Sequence, residues 1–447
     1  MFKGNKILLL GFARSGYEAA KLLISRGNKV IVNDYAEISE DDEKLLELKK
    51  KGVEFITGSH PDDLVDDSFD YVIKNPGIAI DHKYVLKARE LGVEVINETE
   101  MAFRLLPEDK NIKIIGITGT NGKTTTTTLI HEMLIKDGKK AHLAGNIGFP
   151  LCGFLEKLED NDILVNEVSI QQLENFSKYR PDIAIFTNLS EAHIDFMKTY
   201  ENYKQTKLRI FKNQDSSNIA ILNLDNEELI RYTKDIKATT KYFSSQGSIN
   251  GCYIKDEAIY YYDEKIVNLS NIKLVGIHNY ENIMAAIMAV KEFEVTNEAI
   301  TEVVKEFGGV EHRLEFIKEV EGRLFYNDSK ATNIISTQIA LASFNQPTIV
   351  ILGGEERNQD FNELKEYSAN IKTIIGIGEC RARVEEFGNS LNIPTFIFET
   401  LEEAFPKTLE SSSKGDVILL SPASASWDQY KCFEDRGNEY KELIEKI

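Results

Sequence analysis

The chain has 447 residues, 42% of them hydrophobic, with 53 Lys and Arg against 72 Asp and Glu for a formal net charge of −19. At about 150 residues per domain this length accommodates three domains with cores of their own. An acidic balance of this size excludes a general nucleic-acid or anionic-membrane binder, so a phosphate ligand must be held locally by loop N–H groups, metal ions and a few placed cations.

The N-terminal stretch Met1-Phe-Lys-Gly-Asn-Lys6 leads directly into an apolar run, Lys6 to Leu10. Then come Gly11-Phe-Ala-Arg-Ser-Gly16, an amphipathic helix pattern to Arg26, and Val30-Ile-Val-Asn-Asp34. That order predicts a βαβ unit whose first turn and terminal Asp34 could hold a nucleotide, although Ala13 replaces the middle glycine of the usual fingerprint. A plain structural turn is the alternative. Residues 38–51 mix charges at helical spacing and read as a solvated helix face. Tyr71-Val-Ile73 and Asn75-Pro-Gly-Ile78 form a second strand and strand-end loop.

The Pro and charge cluster Leu106 to Lys110 marks a break. Beyond it, the apolar run Ile112 to Ile115 feeds Gly116-Ile-Thr-Gly-Thr-Asn-Gly-Lys-Thr124, and a helix pattern continues to Lys136. A strand, a Gly-rich loop and a helix start present N–H groups and the positive end of a helix dipole to a phosphate. Lys123 would reach the outer phosphates and the Thr124 hydroxyl would sit on Mg2+. The standard motif needs another glycine where Ile117 stands, so this is a short form.

Strand patterns then alternate with helices at Ile163 to Val165, Ile183 to Phe186 and Ile219 to Leu222, which predicts a mostly parallel sheet. Glu167 and His193 follow two of these strands, at the edge where the phosphate loop also lies, and could meet at a metal. Residues 252–275 carry short alternating runs that predict antiparallel strands on the side of this sheet. A second boundary falls near Phe307-Gly-Gly-Val310. The third segment alternates again, with polar strand-end loops at Asn327-Asp-Ser-Lys-Ala-Thr-Asn333 and Ser421 to Tyr430. The predicted fold is therefore α/β in three domains: a Rossmann-like domain (1–107), a central P-loop ATPase-like domain with a mostly parallel sheet (108–309), and a second Rossmann-like domain (310–447).

The four cysteines, Cys152, Cys252, Cys380 and Cys432, form no C-x-x-C pair, and no Ser-His-Asp or Cys-His spacing supports covalent catalysis. No apolar stretch reaches the roughly 18–20 residues of a membrane span. A cytoplasmic protein is expected.

Taken together, Gly119-Thr-Asn-Gly-Lys-Thr124, Gly145-Asn-Ile-Gly148, Asn188-x-Ser-Glu-x-His193, His278-Asn-x-x-Asn282, His312-Arg313 and Asn327 to Asn333 resemble the ATP-dependent Mur ligases of peptidoglycan synthesis along the whole chain. Lys74-Asn-Pro-Gly-Ile78 and the long motif Ser421 to Gly437 resemble the branch that adds D-glutamate to UDP-N-acetylmuramoyl-L-alanine. The resemblance implies ATP-driven acyl-phosphate formation followed by attack of the amino acid amine, with two Mg2+ ions and no nucleic-acid or membrane partner. ATP would lie between the second and third domains, and a monomer is expected.

Residue by residue, the resemblance gives Gly119, Thr120, Asn121, Gly122, Lys123, Thr124 and Thr125 to the ATP phosphates. Asn279, Asn282, Arg313 and Asp328 would hold the rest of the nucleotide. Thr124, Glu167, His193 and Lys207 would hold the metals, Lys207 as a carbamate. Phe12, Ala13, Arg14, Ser15, Asp34, Tyr35, Asn75, Pro76 and Gly77 would bind the UDP end. Asn146, Gln172 and His193 would bind the muramoyl-alanine end. Lys330, Thr332, Arg357, Ser426 and Phe433 would bind D-glutamate. Two departures stand out: Ile170 and Gln171 replace the family's usual pair after Ser169, and no glycine follows Arg357. Competing readings are another Mur-type or folylpolyglutamate-type ligase, a nicotinamide-dependent oxidoreductase built on Gly11 to Asp34, and a nucleotide-binding switch.

Overall fold

The computed structural model describes residues 2–191, 197–274 and 276–447. It contains three sheets. The first is built from β1 (Lys6–Leu10), β2 (Lys29–Asp34), β3 (Glu54–Thr57), β4 (Tyr71–Lys74) and β5 (Glu94–Asn97), in the order β3-β2-β1-β4-β5. All four pairings are parallel. Ile7 to Leu10 are buried as one continuous apolar run, as a parallel sheet covered on both faces requires. The strand order reverses between β1 and β4, and the loops after these two strands are the ones that carry Gly11 to Ser15 and Asn75 to Gly77.

The second sheet contains β6 (Lys113–Thr118), β7 (Ala141–Gly145), β8 (Ile163–Glu167), β9 (Ile183–Phe186), β10 (Ile219–Asn223), β11 (Thr239–Ser244), β12 (Gly251–Lys255), β13 (Ala258–Tyr261) and β14 (Glu264–Asn268). Its order is β14-β13-β12-β11-β10-β9-β6-β8-β7. Only the pairs β12 with β13 and β13 with β14 are antiparallel, where the sequence alternates in short runs. In the third sheet, β15 (Glu315–Val320) pairs antiparallel with β16 (Arg323–Asn327). Next come β20 (Val417–Leu420), β17 (Thr348–Gly353), β18 (Ile371–Ile377) and β19 (Thr395–Ile397), all parallel.

One expectation is corrected in extent. The charged stretch 38–51 is helical only over Glu43–Lys50, because Asp42 caps it by accepting from the Leu45 N–H at 2.9 Å. An N-cap carboxylate of this kind starts a helix at its own position. The charged residues Glu43, Lys44, Lys49 and Lys50 are exposed, as a solvated face requires, while Leu45 and Leu48 are buried.

By compactness the chain forms two units, residues 1–306 and 307–447. The first two sheets share the first unit because the helix after β5, Glu98–Arg104, fastens one to the other. Glu100 is fully buried, and its carboxylate accepts from the backbone N–H groups of Ser177, Lys178 and Tyr179 and from Arg104 Nε. Asn97 Nδ2 donates to the Gln172 carbonyl at 2.6 Å, Gln172 Nε2 to Thr99 Oγ1 at 3.0 Å, and Cys152 N–H to Glu98 Oε1 at 2.6 Å. A buried carboxylate with this many donors is compensated for its desolvation and is costly to disrupt.

Candidate active site

β6 ends in the phosphate loop, and the helix Lys123–Lys136 begins immediately after Gly122. Gly119 and Gly122 have positive φ, +153° and +79°, and no room for a side chain. A Cβ at Gly119 would lie 1.9 Å from Thr187 Oγ1, and one at Gly122 would lie 2.1 Å from Asn282 Oδ1. No side chain caps the helix, so its first N–H groups face the loop as a phosphate site requires. The loop is braced from the next strand: Thr120 N–H donates to the Asn188 carbonyl, and Asn121 N–H to Asn188 Oδ1, both at 2.9 Å. Tyr203 OH donates to Thr120 Oγ1 at 2.9 Å.

Two lysines converge on this loop. Lys123 Nζ donates to the carbonyls of Gly119 and Thr120, each at 2.9 Å. Lys207, on the helix Tyr200–Leu208, donates to the same Gly119 carbonyl at 2.7 Å and is buried. Burial, reinforced by the Lys123 cation and opposed by Glu167, holds the Lys207 ammonium well below the ordinary lysine range.

Glu167 ends β8 fully buried, with Oε1 accepting from Asn146 Nδ2 at 2.7 Å and Oε2 left without a partner among the described residues. An orphaned carboxylate oxygen at the end of the strand paired with β6, which leads into the phosphate loop, suits a hard cation such as Mg2+. Among the described residues no group of three or more His, Cys, Asp or Glu converges, so a metal here would rely on hydroxyl, water, phosphate or modified-lysine oxygens. His193 lies outside the described residues. Thr125 and Asn279 flank the loop and the start of the helix Ile277–Val290, while Thr126 Oγ1 contacts Asn282 Oδ1 at 3.3 Å.

In the first sheet, Asp34 accepts from the Phe12 N–H at 2.7 Å and the Ala36 N–H at 2.9 Å, and so shapes the turn after β1. Ser15 Oγ bonds Asn75 Oδ1, which joins the loops on either side of the switch point. Ala13 and Arg14 are exposed, with the Arg14 guanidinium 4.3 Å from the Phe149 ring; Tyr35 is exposed as well, and Pro76 and Gly77 complete the rim. Gln172 is buried, its side chain used in the capping box with Ser169 and in the bond to Thr99.

In the second unit, Asp328 and Lys330 follow β16, and Ser426 and Phe433 follow β20. Lys330 Nζ sits 5.5 Å from the Phe433 ring, and Ser329 Oγ donates to the Phe433 carbonyl at 2.8 Å. Ser426 Oγ is buried without a partner among the described residues. Arg357 extends from the loop after β17 and pairs with Glu355 at 2.5 Å. Thr332 is half-buried beside Lys330, and Arg313 is exposed.

Three family models cover the chain: a Mur ligase MurD-like N-terminal domain over residues 5–97, a Mur ligase middle domain over 117–290, and a Mur ligase glutamate ligase domain over 312–424. The chain is 44% identical to a UDP-N-acetylmuramoylalanine–D-glutamate ligase of Lactococcus lactis subsp. lactis, across all of this chain and 98% of that one. The chain is a Mur ligase. A ligase of the same name from Geobacillus kaustophilus is 40% identical with the same coverage. The UDP-N-acetylmuramate–alanine ligase MurC of Thermotoga maritima shares the fold, with a TM-score of 0.60 at 19% identity over 99% of each chain. Among the described residues no helix is long and apolar enough to cross a membrane.

Both departures of this Mur ligase from the family pattern have a structural reading. Asn358 takes the place of the glycine after the basic residue and adopts φ +57°, a left-handed conformation that asparagine tolerates better than most residues. Ile170 is buried in the core, while Ser169 and Gln172 keep the helix cap around it.

Sequence reasoning passed over Arg436. Its guanidinium is buried and donates to Ser329 Oγ at 3.0 Å, the Ser329 carbonyl at 2.9 Å and the Ser424 carbonyl at 3.1 Å. It thereby ties together the two polar strand-end loops. Its place in the long C-terminal motif was the available signal, but the motif alone does not tell a ligand contact from a strut.

A cavity of about 720 Å³ is lined by Ala79 to Asp81, Glu174 and residues of the segment Met197 to Lys212, and by none of the residues singled out from the sequence.

Burial raises the Asp328 carboxyl to about 7, against the opposing hydrogen bonds of Ser421 and Leu314 N–H and the charges of Arg313 and Arg436. The folded state therefore binds a proton that the unfolded chain releases near 3.8, so stability falls as pH rises between these values and is level above them. Melting curves from pH 4.5 to 8 are expected to show this fall in the wild type and a flatter profile in Asp328→Asn; equal slopes would reject the assignment.

Proposed function

We propose that the protein joins D-glutamate to the alanyl carboxylate of UDP-N-acetylmuramoyl-L-alanine, with ATP cleaved to ADP and phosphate, in peptidoglycan precursor synthesis. ATP transfers its terminal phosphoryl group to the carboxylate, and the amine of D-glutamate displaces phosphate from the resulting acyl phosphate to leave an amide. The observation that carries this reading is the convergence of Lys123 and Lys207 on the Gly119 carbonyl, beside the orphaned Oε2 of Glu167. An oxidoreductase built on the first sheet leaves that buried arrangement without a role.

The chain supplies positioning and charge. The N–H groups from Gly122 to Thr125 and the Lys123 ammonium would hold the triphosphate, while those of Thr120 and Asn121 brace the loop on Asn188; positioning of this kind is the work that phosphoryl transfer asks of a protein. Mg2+ ions held by Thr124, Glu167, His193 and the modified Lys207 would offset the repulsion between a carboxylate and a triphosphate.

Lys207 fits the carbamate role. An ammonium is the wrong sign for a metal ligand, whereas burial favours the neutral amine, whose nitrogen can bond to the carbon of CO2 and release a proton. The Ser15 and Asn75 loops would hold the UDP end, with Asn146 toward the muramoyl-alanine end. Lys330, Thr332, Arg357, Ser426 and Phe433 would receive D-glutamate.

Phosphate release from ATP in the presence of UDP-N-acetylmuramoyl-L-alanine tests the reading. It is expected to depend on D-Glu and to be weak with L-Glu, L-Ala or L-Lys. Release indifferent to D-Glu would sink it.

A further inference from the structure

We propose that Trp427 is a positioning residue for the incoming amino acid, its indole holding the Arg357 guanidinium ready for a carboxylate of D-glutamate. The inference rests on the reading above that D-glutamate is the amino acid added.

Arg357 lies on an irregular loop, where a long cationic side chain would sample many rotamers before any ligand arrived. Two contacts restrict it. The guanidinium carbon lies 4.5 Å from the Trp427 ring, and Nε donates to Glu355 Oε2 at 2.5 Å. Glu355 is itself anchored, since its N–H donates to the Ala425 carbonyl at 2.9 Å and its carbonyl accepts from Gln359 Nε2 at 3.2 Å. The loop of Arg357 is thus pinned to the loop that carries Ser426 and Trp427.

The indole side is held as well. The Ser426 carbonyl accepts from the N–H groups of Gln429 at 3.1 Å and Tyr430 at 2.8 Å, closing a tight turn around Trp427. With Nε engaged, the two Nη groups of Arg357 make no hydrogen bond among the described residues. They present the planar fork that pairs two parallel N–H donors with a carboxylate.

Two further observations point to a ligand here. Trp427 is the sole tryptophan of the chain and is 63% exposed, so packing into the core is not its main contribution. The neighbouring Ser426 Oγ is buried without a partner, a hydroxyl beside the same loop junction that a bound amino acid could satisfy.

Steady-state kinetics with D-glutamate varied at saturating ATP and UDP-substrate test the role. Trp427→Ala is expected to raise KM for D-glutamate by about three- to tenfold, the size of a partly exposed cation–π contact, with a smaller change in kcat. KM for ATP and the melting temperature should stay at wild-type values, and Trp427→Tyr should restore most of the loss. An unchanged KM for D-glutamate, or an equal shift in KM for ATP, would overturn the inference. The wild-type response to D-glutamate separately measures the underlying reading: without it, both fall.

Discussion

Lys207→Ala is expected to lower the rate of amide formation by about 10²- to 10³-fold, the loss typical of removing one preorganised electrostatic group from an active site. The side chain is buried against the Gly119 carbonyl and Thr118 Oγ1. If the working form is a carbamate, the alanine variant has lost an anionic oxygen ligand and not merely a cation. Acetate or formate at high concentration should then restore part of the activity by entering the vacated volume, whereas chloride should not. A variant with full activity would remove Lys207 from the mechanism. A loss rescued equally by chloride would leave the lysine important and the carbamate wrong.

A second large effect is expected at Arg436. Burial draws its guanidinium down to about 10, which leaves it charged at neutral pH. Arg436→Met keeps most of the apolar stem but strands the Ser329 and Ser424 carbonyls and removes one of the two partners of Ser329 Oγ. The expected cost is about 3–5 kcal/mol, because removing one member of a buried polar network exposes the full desolvation penalty of the others. Arg436→Lys should recover less than half of this, since one ammonium cannot span both loops as a planar fork does. Urea unfolding followed by a probe in residues 307–447 reads the effect directly. A midpoint unchanged in Arg436→Met would show that the loops do not depend on this strut.

Much of the fold was legible locally. Ile7 to Leu10, Ile114 to Ile117 and Val417 to Leu420 are short apolar runs followed by Gly11, Thr118 and Ser421, and each became a buried parallel strand leading into a loop. A strand buried on both faces must be apolar throughout, so this pattern is carried by the segment itself. The phosphate loop was equally legible because its function depends on backbone geometry that few residues besides glycine permit. The helix in residues 38–51 was misjudged in extent because charge at helical spacing says nothing about where a cap lies. Asp42 decided that.

Other features depend on partners distant in the chain. Gln172, which the resemblance places toward the substrate, also reaches back 73 residues with its amide to Thr99. Glu98 and Glu100 belong to no motif of the sequence, yet they are the buried fastening between two sheets. No local pattern marks such residues, since the donors that make their burial tolerable come from segments about 50 to 80 positions away.

By itself, then, the sequence determined the class of fold, the phosphate-handling chemistry and the family, because strand periodicity, glycine-dependent turns and long motifs are properties of contiguous residues. Only the tertiary structure decided that Lys207 and Lys123 share one carbonyl, that Glu167 keeps a buried oxygen unpaired, that Arg436 is a strut and that Trp427 lies over Arg357. Each of these depends on desolvation and on donor-to-acceptor distances, which exist only once remote segments have packed together.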